Sequence, residues 1–115
     1  MKNRLKSFKY ALNGLISAFY QSNFRIQLSI LFVVLVAGVM TSITQMEWCL
    51  IVIVSTVVLT TEAINTSIEE ICNFLTREHN PHIGKIKDIA AGAVLISAVG
   101  AVVVGLIIFL PRMAS

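Results

Sequence analysis

Polar and apolar positions fall in long blocks along this chain, and the blocks predict helices of two kinds. From residue 2 to residue 20, Leu5, Phe8, Leu12, Leu15, Ile16 and Phe19 recur at three- and four-residue spacing, interleaved with or following Lys2, Arg4, Lys6 and Lys9. That spacing predicts a basic amphipathic helix over 1–22, of the kind that lies in a membrane interface. "QSNF", residues 21 to 24, breaks the pattern, and Asn23 is the candidate cap of the next helix. Residues 26 to 43 are almost wholly apolar. They predict a first membrane span over 24–44, since about 20 residues cross a hydrocarbon core. "TQME", residues 44 to 47, predicts a tight turn, with Trp48 as an interfacial aromatic beside it. A second span is expected over 47–75 and a third over 86–110, the latter ended by Pro111 and Arg112. Between them, residues 76 to 85 read as a polar loop with Pro81 and Gly84 as breakers.

Composition sharpens this picture. The 115 residues are 57% hydrophobic and 13% charged, and the mean hydropathy is +0.85. A soluble domain of this size neither needs nor tolerates so much apolar surface, so a single-domain, all-α membrane protein is expected. The net charge of +3 suits anionic headgroups or phosphates. No basic stripe with interleaved aromatics is present, which argues against nucleic acid as a partner. Cys49 and Cys72, expected on one helix, are too far apart to pair and read as small buried hydrophobes. The first twenty residues lack a long apolar stretch and a small-residue cleavage site, so they read as mature sequence and not as a signal peptide. Lysines and arginines gather in the N-terminal segment and in residues 76 to 87, while the 44–47 turn has none. The positive-inside rule then sets the N-terminus and the second loop in the cytoplasm and the C-terminus outside.

The chemistry is concentrated in "TTEAINTSIEEICNF", residues 60 to 74. At about 100° per residue, with Glu62 as zero, Asn65 falls near 300°, Glu69 near 340°, Asn73 near 20° and Thr66 near 40°. These groups share one arc, and Ile64, Ile68, Ile71 and Leu75 take the other side. Glu70 lies off the stripe as a solvated charge. Ionisable groups in a span mark functional sites, with a structural polar network between helices as the alternative. Carboxylates one to two turns apart can hold a divalent cation, or divide the roles of base and metal ligand. A second constellation, Lys87 and Asp88, is expected at the start of the third span, where a helix N-terminus and a lysine both favour phosphate. Beyond it, Ala90 to Ala93, Ser97, Gly100, Ala101 and Gly105 form a small-residue face suited to close helix packing. Phosphate-loop, zinc-protease and serine-hydrolase motifs are absent, and the two histidines of "HNPH", His79 and His82, are weak as a metal pair.

"EAINTSIE", followed at fixed distance by "KDIAAGAVL", resembles the bacterial membrane-integral diacylglycerol kinase and undecaprenol kinase family; "SFKYALNGL" and "NFR" extend the resemblance over most of the chain. It implies a homotrimer of three-span subunits, each with an amphipathic surface helix, in the bacterial cytoplasmic membrane. Active sites shared between subunits would phosphorylate a lipid hydroxyl using ATP and Mg²⁺. On this resemblance Glu62 is the catalytic base and also meets the lipid, Glu69 is a magnesium ligand on the nucleotide, and Asn65 orients the carboxylates. Lys87, Asp88, Glu78, His79 and Asn80 match nucleotide contacts, as do Arg4 and Tyr10 across an alignment gap, and Phe24 and Arg25 fall at the lipid entrance. Two positions depart from the family: Gln21 stands where a metal-binding Glu is usual, and Asn73 where Asp is usual. A catalytically weakened member of the fold is therefore one rival reading. A small transporter or channel subunit is another, although polar residues thin out along the outward half of the second span. "AAGAVL" leans toward the undecaprenol branch.

Overall fold

A computed structural model describes residues 2–114, apart from the side chains of Lys2 and Ser22; Met1 and Ser115 lie outside the described residues. Four helices follow one another: α1 (Lys2–Phe19), α2 (Ser22–Thr41), α3 (Gln45–Leu75) and α4 (Pro81–Ala114). Helices α2, α3 and α4 are each long and apolar enough to cross a membrane. At 1.5 Å per residue α3 is about 46 Å long and α4 about 51 Å, so each exceeds a hydrocarbon core of about 30 Å and carries polar residues past its edge.

Each helix end has a local cause. Ser42 leaves α2 in the left-handed region, φ 55°, and its N–H and that of Ile43 bond back to the carbonyls of Val39 and Gly38. Two residues later Thr44 caps α3: its hydroxyl accepts from the N–H of Glu47 at 3.2 Å, and the Glu47 carboxylate accepts from the N–H of Thr44 at 2.9 Å. This reciprocal box starts the helix at Gln45, so 44–47 is a helix start and not the expected turn. The 76–85 stretch is likewise shorter as a loop than its Pro and Gly suggest. Asn80 accepts from the N–H groups of His82 and Ile83 at 2.9 and 3.3 Å, and Pro81 takes the first helical position, where its missing N–H costs nothing. Gly84 therefore lies inside α4. At α2 the N-cap position belongs to Gln21, not Asn23, and its side chain makes no cap hydrogen bond. Helix α4 also runs on through Pro111 to Ala114. Pro111 cannot donate to the carbonyl four residues back, but the guanidinium of the next residue, Arg112, donates through Nη1 to the Ile108 carbonyl at 2.8 Å.

Helices α3 and α4 make the most extensive contact, with α2 laid against α3 and α1 touching both α2 and α3. Three side-chain pairs sit in antiparallel register along α3 and α4. Glu47 receives two bonds from the Arg112 guanidinium, at 2.5 and 2.8 Å. Thr61 and Ser97 share a hydroxyl–hydroxyl bond of 2.9 Å, and Lys87 donates to Asn73 at 2.7 Å. The packed apolar core is at the Glu47–Arg112 end: Ile43, Ile51 and Ile108, with Val34, Trp48, Val104 and Phe109 against them. Gly38 lets the Trp48 ring close on α2. A Cβ there would stand 2.6 Å from Trp48 Cη2 and 3.1 Å from Ile43 Cδ1. Gly38→Val is expected to destabilise the protein by about 1–3 kcal/mol, the cost of overpacking a filled core, read as a lower midpoint of thermal unfolding in detergent; an unchanged midpoint would contradict this packing.

The chain is flat, 54 × 43 × 19 Å, with a radius of gyration of 17.3 Å, against about 13 Å for a globular domain of this length. Its thickness is about two helix diameters. Many large apolar side chains consequently stay exposed, among them Phe32, Val39, Ile53, Ile96 and Ile107.

Candidate active site

The C-terminal half of α3, away from the apolar core, gathers the polar residues. Glu62 and Asn65 are the buried polar residues of the described chain, 3% and 5% exposed, and Glu69 is half-buried. Helical periodicity sets them on one face, and the fold then covers that face: the antiparallel register brings Ala90, a buried small residue of α4, opposite Glu69. Glu62 is about 26 Å along the axis from Gln45, just past the middle of this helix of about 46 Å.

Within the face, the Asn65 amide donates through Nδ2 to Glu69 Oε1 at 3.0 Å. That bond spans one turn and fixes the rotamer of both side chains. Asn65 Oδ1, by contrast, is buried with no hydrogen-bond partner. A buried acceptor left unpaired costs about 1–3 kcal/mol, and among the described residues none pairs with this oxygen. One turn beyond Glu69, Asn73 accepts from the half-buried Lys87.

The other sequence candidates are distributed around this end. Lys87 and Asp88 are in the second turn of α4, not at its N-terminus, because the helix starts at Pro81. Its first free N–H groups are already satisfied by Asn80, so helix-start anion binding at Lys87 is not the arrangement found. Asp88 is exposed, as are Glu78, His79 and Asn80 in the α3–α4 connection and Arg4 and Tyr10 on α1. Gln21 is exposed at the α1–α2 elbow, and Phe24 is buried there. Arg25 lines a shallow groove of about 480 Å³ with Phe19, Leu28, Ser29, Phe32 and Val33.

The three interhelical pairs are not legible as pairs in the sequence. Each joins two residues from elements whose relative register only packing sets, although Ser97 stands out as a polar member of the small-residue face.

Among the described residues no three His, Cys, Asp or Glu side chains converge as metal ligands. The donor set of the face nevertheless suits a hard cation: two carboxylates and an unpaired amide oxygen. Magnesium characteristically takes one or two protein carboxylates and completes its shell with water and substrate phosphates.

The fold defines the class: a small polytopic membrane protein with its polar chemistry collected at one end of two long helices. A family model described as prokaryotic diacylglycerol kinase matches residues 9–109, and the chain belongs to that family, a family of lipid kinases. It is 34% identical over 109 residues to an undecaprenol kinase of Bacillus subtilis, covering 94% of this chain and 89% of that protein. It is 35% identical over 115 residues to a diacylglycerol kinase of Synechocystis sp., covering 98% of this chain and 66% of that protein.

Proposed function

We propose that this lipid kinase transfers the γ-phosphate of ATP to the hydroxyl of a membrane lipid alcohol, undecaprenol or diacylglycerol, on the face formed by Glu62, Asn65 and Glu69. The observation that carries this reading is the buried Glu62 beside the Asn65–Glu69 hydrogen bond, on a face that runs from the middle of a membrane-length helix toward its C-terminal end. Along that face a lipid hydroxyl and a water-soluble nucleotide would meet. The matching face at the other end is filled by Ile43, Ile51 and Ile108, which speaks against a polar path through the membrane.

Phosphoryl transfer asks for position, charge neutralisation and a base near the nucleophile. Glu62 accepts the lipid hydroxyl proton as the oxygen attacks the γ-phosphorus and ADP leaves. Glu69 would hold Mg²⁺ with the Asn65 amide oxygen nearby, and the bound ion would neutralise charge on the nucleotide phosphates. Asn65 keeps Glu69 turned toward that position. The Lys87 ammonium meets phosphate oxygens, with Asp88, Glu78, His79, Asn80, Arg4 and Tyr10 as the remaining nucleotide contacts. Phe24 and Arg25 receive the lipid at the groove of the α1–α2 elbow. Helix α1, with Leu5, Phe8, Leu12 and Phe19 exposed, lies in the interface of the cytoplasmic membrane with its basic residues toward headgroups. The N-terminus is then cytoplasmic and the C-terminus outside. A homotrimer with sites shared between copies accounts for the flat single chain, its exposed apolar faces and the unpaired Asn65 oxygen.

Gln21 bears on metal affinity, because an amide oxygen can ligate magnesium but without charge. Gln21→Glu is expected to lower the half-saturating Mg²⁺ concentration several-fold, read by titrating turnover against Mg²⁺ at fixed ATP; an unchanged midpoint would remove Gln21 from the metal site. The substrate is tested by competition. Vesicles carrying both diacylglycerol and undecaprenol are incubated with the protein, magnesium and radiolabelled ATP, and the lipids are then separated. Label in either lipid supports the reading and names the preferred alcohol, whereas label in neither overturns it.

A further inference from the structure

Apolar packing does little to fix how far α4 slides along α3 beside the carboxylates. The buried residues of α4 are Ala90 and Ile108, and Ile108 belongs to the core at the far end. Between them, a Cβ added at Gly92, Gly100 or Gly105 would meet nothing within 4 Å, so these positions interlock with no neighbour. Lipid tails are as apolar as leucine, so sliding within a membrane exposes nothing to water, and hydrogen bonds between helices carry more of the register. The Glu47–Arg112 pair lies about 21 Å along α3 from Thr61. The Lys87–Asn73 bond is exposed, and Lys87 is also the group proposed for phosphate. At the level of Glu62 the helices are joined by the half-buried hydroxyls of Thr61 and Ser97.

This bridge is built to persist. The two hydroxyl oxygens are 2.9 Å apart; Thr61 Oγ1 is 3.0 Å from the Val58 carbonyl and Ser97 Oγ is 2.8 Å from the Val94 carbonyl. Each hydroxyl has one proton, so two protons serve three contacts. If Thr61 donates to Ser97, Ser97 donates to Val94; if Ser97 donates to Thr61, Thr61 donates to Val58. Either order keeps the bond between the helices. Loss of one hydroxyl leaves the other with its own helix carbonyl as acceptor, so no donor is stranded and the fold survives.

We infer that Thr61 and Ser97 are positioning residues: their bridge pins α4 against α3 beside Glu62 and so keeps Lys87 and Asp88 of α4 in step with the carboxylate face of α3. The inference rests on the nucleotide role proposed for Lys87 and Asp88 and goes beyond it, since neither hydroxyl is assigned to a reactant. With α4 out of step, Lys87 and Asp88 leave the nucleotide, while Glu62 on α3 and the elbow residues that receive lipid stay in place. ATP then finds fewer competent molecules, and its apparent affinity falls with their fraction.

The test reads KM for ATP, KM for lipid and kcat on the full chain in lipid vesicles. Thr61→Val and Ser97→Ala are each expected to raise the ATP KM about threefold, the scale of one hydrogen bond between membrane helices, with lipid KM and kcat changed by less than about twofold. The double variant should show the rise of either single variant and no more, because both remove the same bond. Thr61→Ser keeps the hydroxyl and should keep the original ATP KM. An unchanged ATP KM in both single variants overturns the inference, as do additive rises. A joint rise of both KM values with a lower thermal midpoint also overturns it, because that marks a merely structural role. No transfer by the unaltered protein defeats the kinase reading and the inference with it, whereas normal transfer with an unchanged ATP KM in the variants defeats the inference alone. Thr61→Val keeps the side-chain shape, so its contrast with Thr61→Ser decides the matter should Ser97→Ala not assemble.

Discussion

Replacing Glu62 by Gln is expected to lower the transfer rate by about 10²–10⁴-fold, the usual contribution of a positioned general base. The side chain keeps its volume and its buried place on α3, but the amide cannot accept the lipid hydroxyl proton. Binding should survive, because on the proposed assignment other groups would hold the nucleotide and the α1–α2 elbow the lipid. The fall therefore belongs in kcat, with KM for ATP nearly constant. Assembly should survive as well: the substitution removes a carboxylate from a buried face that also holds Glu69 and leaves the Asn65–Glu69 bond in place. The measurement is kcat and KM in vesicles, with size-exclusion elution and the thermal midpoint as controls on fold. If Glu62→Gln retains near-normal turnover while eluting as the unaltered protein does, the base is elsewhere.

Asn65→Leu is expected to reduce activity about 10–100-fold, the range found when a partner that orients a metal ligand is removed. Asn65 does two things on the face. Its Nδ2 fixes Glu69 Oε1 at 3.0 Å, and its Oδ1 stands buried and unpaired within the donor set. Leucine has a similar volume and removes both, leaving the Glu69 carboxylate free to rotate on a half-buried helix face. The loss should be partly recovered by raising Mg²⁺, since a loosened ligand weakens the site without abolishing it. That recovery separates the variant from Glu62→Gln, which excess metal cannot rescue. Activity of Asn65→Leu equal to the original protein at limiting Mg²⁺ would contradict the orienting role.

Much of this face is readable from the chain alone, and the reason is local. A helix turns by a fixed angle per residue, so Glu62, Asn65, Glu69 and Asn73 share a side whatever packs against it. The three membrane-length helices are legible because their composition leaves few other options. Helix ends are less legible. Pro81 reads as a breaker or as a first helical residue depending on whether the residue before it caps, and only the Asn80 oxygen on His82 and Ile83 decides that. Pro111 suggests a terminus, yet Arg112 ties the last turn to Glu47 and to the Ile108 carbonyl, and the helix continues. Nothing in the sequence pairs Thr61 with Ser97 or Asn73 with Lys87, because those contacts depend on how far α4 slides along α3.

The fate of one phosphorus atom decides whether this chain is a lipid kinase acting through Glu62, and two labels trace it. Vesicles containing the lipid alcohol and the protein are incubated with magnesium and ATP carrying ³²P at either the γ or the α position, and the label in the extracted lipid is followed in time. The γ label should accumulate in a lipid phosphate while the α label remains with the nucleotide, and Glu62→Gln should suppress the γ signal by at least about a hundredfold. No label in lipid, α label in lipid, or equal γ transfer by Glu62→Gln would contradict that mechanism.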